Sequence, residues 1–242
     1  MRSWALADIL LEVCVDSPES LRAAISGGAD RIELCSALEI GGLTPSLGFM
    51  RLAGDMAVPV HALIRPRPGG FDYDADEVGQ MAEDIHAARE AGLAGVVIGA
   101  LRGGALDLET LMRLKAAAGP LSCTLHRAFD LCADPLVALD QSATIGIDRI
   151  LTSGQAVTAM EGAALLGRLF GKAGGRVGIL PAAGITDRTV AALAGLPLTE
   201  VHASCSVLGP TAPLGFGAAR VTTVARVRAL KAALVDLGRH SS

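Results

Sequence analysis

A chain of 242 residues with 51% hydrophobic side chains can bury a large core, which excludes the disordered class. A net charge of -4 and an aromatic content of 3% exclude the basic footprint and the stacking platforms that nucleic-acid binders need. Asp8 and Glu12 interrupt the apolar N-terminus and no run of ~18 uncharged apolar residues follows, so neither signal peptide nor membrane span is expected and the reading is a cytoplasmic protein.

Short runs of Val, Ile and Leu alternate with helical patterns. Strands are expected near Ile9–Val15, Arg31–Cys35, Val58–Arg65, Gly95–Ala100, Ser122–Arg127, Asp148–Thr152, Arg176–Leu180 and Glu200–Ser204. Ser17-Pro18-Glu19-Ser20 opens the first helix with an N-cap and a proline at the first helical position, and Gly27-Gly28 closes it. Further helices are expected over Ser46–Gly54 (the weakest), Asp74–Ala91, Asp107–Ala118, Asp134–Thr144, Thr158–Lys172, Thr186–Ala194 and Thr222–Leu237. Eight strands, each followed by a helix, predict a single (β/α)8 TIM-barrel domain over residues 1–242, with a frayed tail at 238–242.

In such a barrel, function sits at the C-terminal strand ends. Glu12 and Cys14 share a face of the first strand, and Glu33 and Cys35 repeat the pattern on the second. The two Glu-x-Cys units therefore meet at one rim of the mouth, carboxylates below and thiols above. Arg65, leading into Arg67, ends the third strand; His126, followed by Arg127 and Asp130, ends the fifth; Ser153 follows the sixth; His202 and Ser204 share a face of the eighth. Buried carboxylates need partners, and Arg65, Arg149 or a histidine are the candidates for Glu12 and Glu33. Gly184 opens the segment after strand seven, where barrels often hold phosphate on backbone N–H groups and a helix N-terminus. His61 reads as a core histidine and Cys123 as an inert buried thiol.

Five collinear stretches carry a resemblance: LEVCVDS at Leu11–Ser17, GGADRIELC at Gly27–Cys35, IRPRPGGF at Ile64–Phe71, LHRAFD at Leu125–Asp130 and RILTSG at Arg149–Gly154. Together they resemble the copper homeostasis protein CutC family, over about Leu11 to Ser206. The resemblance implies a (β/α)8 barrel linked to copper tolerance, with Cys14 and Cys35 as ligands of Cu(I). Soft thiolates select Cu(I), which makes that assignment chemically sound. The chain departs from the family pattern at Pro68-Gly69-Gly70-Phe71, where the loop acid is displaced to Asp72, and at Pro181-Ala182-Ala183-Gly184, where a glycine run is usual.

Two functional readings stand ahead of a third, an inert scaffold or interaction protein, which little in the surface sequence favours. One is a Cu(I) protein using Cys14 and Cys35, with inert or disulfide-forming thiols as the bland alternative. The other is an enzyme acting on a small phosphorylated or carboxylate metabolite. Glu12, Glu33, His126 and Asp130 would then be its acid–base groups. Arg65, Arg67, Arg127, Ser153, Gly184, His202 and Ser204 would bind the anion. No organic cofactor is expected, and a homodimer is the simplest assembly.

Overall fold

The computed structural model describes residues 9–211, 214 and 218–240. The chain runs through β1 (Leu10–Val15), α1 (Pro18–Gly27), β2 (Arg31–Leu34), α2 (Leu47–Gly54), β3 (Val60–Leu63), α3 (Ala75–Glu90) and β4 (Gly95–Ile98). A two-stranded ribbon, β5 (Leu101–Arg102) with β6 (Ala105–Leu106), precedes α4 (Leu108–Ala118) and β7 (Ser122–Leu125). There follow α5 (Pro135–Thr144), β8 (Arg149–Thr152), α6 (Ala163–Ala173), β9 (Gly178–Pro181) and β10 (Glu200–Ala203). A hairpin of β11 (Ser206–Thr211) and β12 (Ala218–Thr222) leads into α7 (Val224–His240).

Eight strands form one parallel sheet in the order β10-β1-β2-β3-β4-β7-β8-β9, a nearly closed (β/α)8 barrel in which the first strand pairs with the last. The predicted fold class is therefore the observed one. Alternation along the strands sends Leu11, Val13, Ile32, Leu34, Ala62, Val96, Ile150 and Val201 outward into one apolar core with the helices. The same alternation turns Glu12, Cys14, Glu33, His61, Thr124, His126 and His202 into the barrel.

The helix starts follow local chemistry. The Ser17 hydroxyl accepts from the Ser20 N–H, Pro18 occupies the first turn, and Gly28 ends α1 in the left-handed conformation at φ 97°. Asp74 and Glu77 form a reciprocal capping box on α3. Gly27 lets α1 lie against α7, because a Cβ there would come within 2.4 Å of Val227.

Three expectations are corrected. No α-helix covers Thr186–Ala194; a single 3-10 turn at Val190–Leu193 stands there. Hydroxyls compete with helical bonding, since Thr189 Oγ1 accepts from the Thr186 N–H and donates to the Gly184 carbonyl, and Pro197 lies just beyond. The sixth helix starts at Ala163 rather than Thr158, after a turn in which Thr158 and Glu161 bond reciprocally. The last helix continues to His240 through much of the expected frayed tail, while Ser241 and Ser242 lie outside the described residues. Among the described residues no helix is long and apolar enough to cross a membrane.

Candidate functional site

The lower barrel interior is a charged layer. Arg31 Nε donates to Glu12, and its Nη2 lies 2.6 Å from Glu200 Oε2. Arg149 stands 3.5 Å from the same Glu200 oxygen and donates through Nη1 to Ser122 Oγ and Thr124 Oγ1. Two guanidinium groups thus face two carboxylates, which offsets the heavy cost of burying either sign alone. Burial by itself would raise the Glu12 carboxyl. The His202 hydrogen bond and the Arg31 charge outweigh it and hold that carboxyl well below the usual range. Of the partners expected for Glu12, the histidine is found, as His202, and Arg31 stands in place of Arg65 or Arg149. Arg31 lies two residues before Glu33 on the same strand face, a spacing from which its role was readable.

His202 links this layer to the mouth. Its Nδ1 lies 2.8 Å from Glu12 Oε1, and its Nε2 lies 3.7 Å from Glu33 Oε2. A carboxylate on one ring nitrogen fixes the ring and leaves the other directed upward. Cys14 joins there. One donor atom each from Cys14, Glu33 and His202 lies within 4.8 Å of the others, and all three residues are buried. Burial works against a charge on His202, but the Cys14 sulfur, Glu12 and Glu33 together hold its pKa well above the ordinary value. Burial raises Glu33.

The two thiols are not equivalent. Across the β1–β2 ladder Cys14 pairs with Glu33, and Glu12 with Arg31, so the two Glu-x-Cys units are staggered rather than level. Cys35 sits one step higher, fully buried, with its S–H donating weakly to the Glu33 carbonyl at 3.9 Å. Burial, then Glu33, Cys14 and Asp16, push its pKa well above the ordinary thiol value. Each of these leading influences disfavours the thiolate.

Two cavities open at the C-terminal strand ends. The smaller, about 200 Å³, is lined by Cys14, Glu33, Cys35, Arg65, His126 and Phe71, among others. The larger, about 620 Å³, runs over the ends of β9 and β10 past Gly184, Thr186, Ser204 and Arg220. Cys14, His202 and Arg127 border both. Most of the residues picked from sequence are thus brought together.

Glu12, Arg67, Asp130 and Ser153 line neither of these cavities. Glu12 lies below them. Arg67 ties its own loop, bonding Glu77 and the Gly70 and Asp72 carbonyls. Asp130 accepts from the Thr152 hydroxyl, from the Ser153 N–H and from Arg127, which fastens the end of β8. Ser153 Oγ also donates to the Ala156 carbonyl. Gly184 is left-handed at φ 74° but precedes no helix, so the helix N-terminus expected there is missing.

Comparison with known proteins agrees with the barrel fold. The CutC family model matches residues 9–207. This chain belongs to the CutC family. A family protein CutC from Sinorhizobium medicae is 51% identical over 93% of this chain and 96% of its own. A CutC family protein from Pasteurella multocida is 44% identical over 80% and 81%. The crystal structure of a copper homeostasis protein CutC from Streptococcus agalactiae superposes with a TM-score of 0.77 at 29% identity, covering 81% of this chain and 98% of that one. A thiamine phosphate pyrophosphorylase from Pyrococcus furiosus shares the barrel alone, with a TM-score of 0.61 at 14% identity over 96% of this CutC chain and 98% of its own.

Proposed function

We propose that this CutC family protein serves copper homeostasis by holding Cu(I) at the barrel mouth, with Cys14 as the anchoring thiolate. The observation that carries the reading is the convergence of the Cys14, Glu33 and His202 donor atoms within 4.8 Å of one another. A thiolate and an imidazole are soft enough for Cu(I), whereas a carboxylate is a poor ligand for it. Cys14 and His202 are then the primary pair. Glu12 behind Nδ1 of His202 supplies the outer partner that metal-bound histidines usually have. Cys35 lines the same cavity and supplies a further thiolate once its proton is displaced. All five cysteines are free, which suits a reducing cytoplasm.

Binding by this set releases protons, because the held charge on His202 and the thiol proton of Cys35 must both leave. Copper affinity should therefore rise with pH. The test is an anaerobic Cu(I) titration against a competing chelator. Wild type should bind one equivalent, and Cys14→Ser and His202→Ala should each lose it. Binding unchanged in both variants would sink the proposal.

A further inference from the structure

The opposite wall of the 200 Å³ cavity is built for something other than a soft metal. His126 is only 5% exposed. Its Nδ1 accepts from the Ala128 N–H at 3.1 Å, so the ring hydrogen resides on Nε2. Burial, and then the Arg65 charge, push its pKa down to about 3, so the ring is neutral. That Nε2–H meets no acceptor among the described residues. The ring is held between Phe71, with centroids 4.8 Å apart, and Gly99, where a Cβ would come within 2.3 Å of the imidazole.

Arg65 stands beside it, 7% exposed and over the same Phe71 ring at 5.2 Å. Nη1 donates to the carbonyls of Ile40 and Gly42, and Nη2 to that of Gly69. These bonds fix the guanidinium but bring no negative charge. Among the described residues no carboxylate lies within ion-pair distance of it, and its Nε–H has no acceptor at bonding geometry. A buried cation without a counter-ion is costly, and so is an unmade buried hydrogen bond. Both side chains line one small cavity whose remaining wall includes Leu38, Leu63 and Leu151.

We infer that this cavity binds a small organic carboxylate, which neutralises Arg65 and takes the now-sealed His126 Nε2–H by a small turn of the ring, while a short apolar body lies against Leu63, Leu151 and Phe71. A small carboxylate fits better than a phosphate ester, because the cavity is small and Leu38, Leu63, Leu151 and Phe71 give it much hydrocarbon. The donors stand on the β3 and β7 side of the cavity, whereas Cys14, Cys35 and His202 line its other side.

The test uses metal-free, chelator-treated full-length protein and isobutyrate as the probe. The His126 Nε2 resonance is followed by imidazole ¹H–¹⁵N NMR, with the neutral isostere isobutyramide and with orthophosphate run alongside. Isobutyrate should shift that resonance saturably, and isobutyramide should bind at least tenfold more weakly. Arg65→Met should weaken isobutyrate by a similar factor, and because every reading is taken without metal, failure here leaves the separate Cu(I) titration of the proposed function untouched. Equal response to acid and amide, a response to orthophosphate alone, or no saturable response from wild type would each overturn the inference.

Discussion

Cys14 stands opposite Glu33, not opposite Cys35, across the ladder that joins β1 to β2. The stagger brings the Cys14 sulfur beside Glu33 and within reach of the His202 ring, and leaves Cys35 one step higher with no exposed surface. Reactivity should follow. In the native metal-free protein iodoacetamide should label Cys14, which is 8% exposed, before Cys35, which is wholly buried and held as a thiol. Peptide mapping by mass spectrometry reads the order, and Cys35 labelled first would contradict it.

Glu12 orients the His202 ring without reaching the mouth. Loss of such an outer partner typically weakens metal binding 10–100-fold. Glu12→Gln should therefore lower Cu(I) affinity by about that factor while Cys14 remains. An unchanged affinity in a folded Glu12→Gln protein would show that the ring needs no carboxylate behind it.

Arg31 answers both Glu12 and Glu200 inside the barrel. Removing one partner of a buried ionic cluster costs about 3–5 kcal/mol. Arg31→Met should lose stability of that size in urea denaturation, far more than Arg67→Met, whose side chain lies at the surface. Similar losses in the two variants would mean that the buried layer is held by packing rather than by charge.

His61 and His126 are buried neutral, with burial the leading cause, and their pKa values are pushed down to about 4 and about 3. Unfolded histidine titrates near ~6.5. In the interval between, the unfolded chain binds more protons, so this stability is full above ~6.5 and is lost as pH falls toward about 4. Glu33, raised by burial, and His202, raised by its neighbours, act in the other direction. The comparison that isolates the effect is His61→Asn against wild type. The variant should lose less stability than wild type on acidification from ~7 to ~5, and urea midpoints falling in parallel would count against it.

The barrel was legible because its outward strand faces are plain Val, Ile and Leu runs and its helices carry N-caps such as Ser17 and Asp74. The mouth was legible for the same reason in reverse: Glu33, His126 and His202 sit where an apolar interior has no use for them. Register was not legible, since alternation tells which face a residue takes but not which neighbour it meets. Hence the thiols were read as level; Arg31, whose inward face the spacing to Glu33 did give, was passed over as the partner of Glu12. The hairpin of β11 and β12 was missed because Gly209 and Pro210 break its pattern. Asp130 was picked by its position, and only the hydrogen bonds from Thr152 and Ser153 show that it also clasps the end of β8.

The ladder between β1 and β10 also fixes an order of events. Glu12 lies beside His202, although 190 positions separate them along the chain. During synthesis the thiols of the first two strands leave the ribosome long before the imidazole exists. A nascent chain therefore carries sulfur with no histidine beside it, and the three-donor cluster comes into being only when the last strand closes the ring. Any ion captured there is captured by a finished barrel, and a truncated product, however well its first strands pair, has no such cluster.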